Sequence, residues 1–184
     1  MKTLTALTVA WLLLPGSPIF ADVPFPNVDE SVIDPEISAL VLERIAKTSG
    51  ETQDLNRTKE IDRTIVAKGT KAVATLIAMA QKAANTDPLV LEKSQDFGNE
   101  LRCPVDILVA IGDRRAIPFF SALMNFDTKP RRMFTSLARL LCHGTDKQIQ
   151  LDAKSRDPNL ACVAQIILRY PEQYKYYKDL YCKK

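Results

Sequence analysis

The sequence predicts an all-α protein of about nine to ten helices. Three observations carry this. Apolar residues recur at helical spacing along most of the chain. Asp-Pro and Gly punctuation separates those stretches. No stretch keeps the period-two alternation that a half-buried strand requires.

Taken in order, Asp34-Pro35 reads as an N-cap followed by proline at the first helical position, where its missing amide hydrogen costs nothing. Ile37, Leu40, Val41 and Ile45 then form one apolar stripe, with Gly50 as the stop. A second helix is expected from Leu55 to Lys68, ended by Gly69. A third, from Lys71 to Ala84, is alanine-rich and apolar on most faces, which places it centrally. Asp87-Pro88 opens another helix through Leu89, Leu91 and Glu92, weakening at the turn formers Asp96-Phe97-Gly98-Asn99. Cys103-Pro104 starts the next, through Ile107, Leu108 and Ile111 to Gly112. Helices over Arg115–Met124, Lys129–Cys142, Asp146–Arg156, Asp157–Tyr170 and Glu172–Cys182 complete the prediction. Along the last, Tyr170, Tyr174, Tyr177 and Tyr181 share one face and read as a packing stripe.

Gly69, Gly112 and Gly144 each follow an apolar helix and introduce another, at spacings of roughly 30 to 45 residues. Around the middle glycine the run Ile107-Leu-Val-Ala-Ile-Gly-Asp-Arg-Arg-Ala-Ile-Pro-Phe-Phe resembles the inter-helix turn of HEAT-type repeats. In that family an apolar helix ends at Gly-Asp, a basic residue follows, and Ala-Ile-Pro opens the next helix. The other two copies lack the proline, so the resemblance is specific only near Gly112. It implies either a HEAT-like helix-pair superhelix or an irregular helical bundle, displaying one broad surface for a protein or peptide.

Residues 1–21 have the layout of a secretory signal peptide: Lys2, an apolar run from Ala6 to Leu14, then Pro15, Gly16, Pro18 and a small residue, Ala21. The apolar run is about half the roughly 20 residues a bilayer crossing needs, so no membrane insertion is expected. Cleavage after Ala21 would leave residues 22–33 as an extended arm, favoured by Pro24 and Pro26, and residues 34–184 as one helical domain. The expected location is the periplasm or the exterior. A formal net charge of +3, from 25 basic and 22 acidic side chains, predicts no nucleic-acid partner. The sequon Asn56-Arg57-Thr58 would accept a glycan only in a eukaryotic secretory pathway.

Four cysteines, Cys103, Cys142, Cys162 and Cys182, in an exported chain favour two disulfides over a zinc site, because their gaps are far from C-x-x-C. If the last two helices form an antiparallel hairpin at Pro171, Cys162 lies about nine residues before the turn and Cys182 about eleven after it, a mismatch of about 3 Å. Cys162–Cys182 is therefore expected and, by elimination, Cys103–Cys142.

The chain offers little for catalysis. His143, the single histidine, follows Cys142 at a helix end, where the helix dipole favours it, and no nucleophile-elbow motif accompanies it. Asp96 with Glu100, and Asp29, Glu30 and Asp34, are acidic pairs of the kind common on solvated surfaces. No metal, phosphate-loop or cofactor pattern is present, so no cofactor is expected. Two segments read as partner contacts: Ser94, Gln95, Asp96, Phe97 and Asn99, an apolar ring in a polar turn, and the basic turns with Arg114, Arg115, Arg131 and Arg132. In size, export, helical content and cysteine use the chain is similar to immunity proteins for type VI secretion amidase effectors. That resemblance implies a non-enzymatic inhibitor of a cell-wall hydrolase. An envelope scaffold and a His143-dependent enzyme are the other classes, and a homodimer is left open.

Overall fold

The computed structural model describes residues 28–48, 54–86, 98–126 and 131–181. Residues 1–27, with the expected signal peptide and most of the arm, lie outside them, as does the segment holding Ser94 to Phe97. Among the described residues there are nine α-helices and no strand, so the all-α expectation holds.

The helices are α1 (Pro35–Thr48), α2 (Leu55–Lys68), α3 (Val73–Thr86), α4 (Asn99–Ile111), α5 (Ile117–Phe126), α6 (Arg131–Leu141), α7 (Asp146–Asp152), α8 (Pro158–Arg169) and α9 (Pro171–Tyr181). Their starts follow from local chemistry. Asp34 caps α1, its Oδ1 accepting from the amides of Glu36 at 2.8 Å and Ile37 at 3.1 Å. Thr145 and Gln148 form a reciprocal capping box on α7. Asp157 caps α8 and also accepts from the Ser121 hydroxyl at 2.6 Å, so one carboxylate orders a helix start and ties it to α5.

Successive helices pack in pairs, α1 on α2, α3 on α4, α5 on α6 and α7 on α8. The second members also adjoin one another: α4 lies against α2 and α6, and α6 against α8. A continuous core runs through both layers, from Ile37 and Ile61 through Leu76, Leu108, Phe120 and Leu137 to Val163. α3 is buried along much of its surface, as its composition predicts, with Val73, Leu76, Ala78 and Ala80 all buried. Of the tyrosine stripe, Tyr174 packs against this core and its hydroxyl lies 3.4 Å from Asp146; the side chains of Tyr177 and Tyr181 lie outside the described residues.

Several expectations are corrected. α4 begins at Asn99, so Pro104 stands inside it rather than at its first turn, where the residue type had placed it. α7 ends at Asp152, before Arg156, because the turn that leads to the Asp157 cap needs the intervening residues. The described end of the arm is docked rather than extended: Glu30–Val32 form a 3-10 turn, and the Thr75 hydroxyl of α3 donates to the Val32 carbonyl at 3.0 Å while accepting from the Asp34 amide at 2.9 Å.

The expected Cys103–Cys142 disulfide is not formed either, and the expected Cys162–Cys182 bond falls partly outside the described residues. The sulfurs of Cys103, Cys142 and Cys162 make no disulfide among the described residues, and Cys182 lies outside them. For Cys103–Cys142 the reason is helix direction. The C-terminal ends of α4 and α6 meet where the His143 imidazole covers Gly112, so the two helices run the same way. Cys103 then lies about nine residues, or roughly 13 Å, back along α4 from the end that Cys142 adjoins, twice the Cα separation a disulfide spans. In denatured, unreduced protein Cys103 should therefore be alkylated by iodoacetamide and appear in a peptide of the corresponding mass. A requirement for reductant before it reacts would contradict the structure.

Candidate functional site

The three glycine turns noticed in the sequence lie side by side along one edge. Gly69 and Gly112 have positive φ, +57° and +72°, the conformation that lets each end its helix. Arg115 reaches from the Gly112 turn to the Gly69 turn, donating to the Thr70 carbonyl at 2.8 Å while its own Asp113 holds the guanidinium in a fork. Arg114 reaches the other way, donating to both carboxylate oxygens of Asp152 at 2.6 and 2.8 Å, with its second terminal nitrogen against Gly144. The sequence offered Arg114 and Arg115 as partner contacts; the structure employs both in joining neighbouring turns. Any partner would have to compete with those internal contacts.

The other expected contact residues are not gathered with them. Asn99 opens α4. Arg131 and Arg132 open α6, and their side chains lie outside the described residues, as do Ser94, Gln95, Asp96 and Phe97. Of the acidic residues, Asp29 and Asp34 are caps, Glu30 pairs with Lys82 at 2.8 Å, and Glu100 is exposed on α4. His143 spends one face of its ring on Gly112.

A different constellation stands out across α1 and the second helices α2, α4 and α6. Arg44 of α1 is only 8% exposed and points its guanidinium at Asp62 of α2, pairing through Nε with Oδ1 and through a terminal nitrogen with Oδ2 at 3.2 Å. The same guanidinium lies 3.9 Å from Asp106 of α4, and Arg102, one turn earlier on α4, lies 3.6 Å from that carboxylate. Arg139 of α6 acts on Asp106 electrostatically from the neighbouring pair. A row of three guanidiniums and two carboxylates therefore crosses three successive helix pairs. Asp106 is about 9 Å along α4 from the turn edge, so the row is a separate feature.

Burial shapes the proton affinities in this row. It works against the Arg44 charge, yet the Asp62 hydrogen bond and the nearby negative groups hold that guanidinium above its ordinary value. Burial pushes the Asp106 carboxyl up, against the pull of Arg44, Arg102 and Arg139. It also pushes the Cys103 thiol up, despite Arg44 beside it and the Thr48 hydroxyl at 3.9 Å. A buried thiol with raised proton affinity is a poor nucleophile. Among the described residues no group of His, Cys, Asp and Glu could hold a metal ion.

Asp106 should also leave a mark on stability against pH. Elsewhere hydrogen bonds hold carboxylates below their usual range: Asp29 through Ser31, Glu30 through Lys82, Glu43 through Arg57, Asp113 through Arg115. Their stabilisation is present above the unfolded values near 4 and is lost as pH falls through the depressed folded values, most weakly for the exposed Asp29 and Glu30, which solvent screens. Asp106 has the opposite sign: its contribution is present below the unfolded value and lost as pH rises through the raised folded value. Asp106→Asn should therefore show a steeper fall in Tm than the parent between pH 6 and pH 3. A parallel or shallower curve would contradict the assignment.

The row could have been suspected from the sequence. Arg44 falls on the apolar face that Ile37 and Val41 define, and Asp106 interrupts the apolar run from Val105 to Ile111. A charge on a core-facing stripe needs a partner, though the sequence does not say which. No helix among the described residues is long and apolar enough to cross a membrane. No protein-family model, curated protein or solved structure matches this chain.

Proposed function

We propose that the chain is an exported, non-enzymatic binding protein, an immunity protein that blocks a periplasmic toxin such as a type VI secretion peptidoglycan amidase effector. The observation that carries this reading is the row of Arg44, Asp62, Arg102, Asp106 and Arg139 across α1, α2, α4 and α6. Interhelical ion pairs hold it in place before any partner arrives, and a preorganised surface loses little conformational entropy on association. The stapled turns at the neighbouring edge restrict sliding between pairs, which keeps that surface in register.

The signal-peptide layout and the HEAT-like run around Gly112 support the same reading: export brings the chain to the compartment where such toxins act, and stacked helix pairs display broad faces to proteins. Inhibition would be steric, the partner's cleft being covered by apolar contact and satisfied hydrogen bonds. At equimolar concentration the purified chain should abolish hydrolysis of peptidoglycan by the amidase encoded beside it. A fully active amidase under those conditions would reject the proposal. Retrieval of a stable non-enzymatic envelope protein in its place would favour a scaffold.

A further inference from the structure

We draw no further inference here: the strongest candidate, the solvent-facing apolar stripe of Pro35, Ala39, Leu42 and Ala46 on α1, is an unpartnered helix face, and nothing in the structure shows what covers it.

Discussion

Gly112→Ala should destabilise the protein by about 3 kcal/mol or more and lower Tm by roughly 6–12 °C, the span expected for a domain of this size. Two costs combine. At φ +72° any residue with a Cβ pays about 1–2 kcal/mol for the left-handed conformation. The new methyl would also overlap the His143 imidazole, which closes over Gly112 where α4 and α6 end together. At Gly69 nothing lies within 4 Å of a built Cβ, so Gly69→Ala should carry a backbone cost alone, set by its own φ +57°, ψ −130° conformation, and should show no coupling to His143. Adding His143→Ala to Gly112→Ala should recover the steric part, a coupling visible in a double-mutant cycle by urea denaturation. An absence of coupling between Gly112→Ala and His143→Ala would mean that the two helix ends do not meet as described.

The second large effect is expected at Arg44. Arg44→Met should cost about 2–4 kcal/mol, somewhat less than the removal of one partner from a fully buried pair, because the Asp62 side chain keeps 33% exposure and water can reach it. The loss arises less from the missing attraction than from Asp62 and Asp106, left half-buried without their counter-charge. Arg44→Met with Asp62→Asn should therefore be more stable than Arg44→Met alone, and the cycle should show favourable coupling between the two replacements. Additive losses would show that the pair contributes only solvent-screened contact. Asp106→Asn is expected to have a far smaller effect at neutral pH, since the cost of burying its charge and the attraction of three arginines oppose each other.

These expectations place the weight of the fold at two sets of contacts with different visibility in the sequence. The turns were readable. Gly69, Gly112 and Gly144 punctuate the chain, Asp34-Pro35 marks a helix start, and the structure places helix boundaries close to each. That succeeds because a cap or a left-handed glycine is satisfied within a few residues of itself. Pro104 shows the limit even there: proline is tolerated at a first turn, but packing of α4 against α3 carried the helix start back to Asn99.

The candidate site was much less legible. Arg114 and Arg115 drew notice as exposed basic residues, yet their contacts, Asp152 and Thr70, lie far along the chain in both directions. Arg44, Asp62, Arg102, Asp106 and Arg139 sit on four helices, and their meeting does not follow from any one segment. The cysteines make the same point from the other side. Even count and export suggested pairing, but the parallel course of α4 and α6 separates Cys103 from Cys142.

By itself the sequence determined that this chain is helical, where most of its helices begin and end, and which stripes face inward. Those properties depend on backbone hydrogen bonding and side chains within one or two turns. Tertiary structure alone decided which helix ends meet, which arginines are consumed as joints, and that Cys103 and Cys142 do not pair. Such outcomes are set by the relative direction and contact of helices distant in sequence, where the apolar pattern specifies that a face is buried without specifying against what.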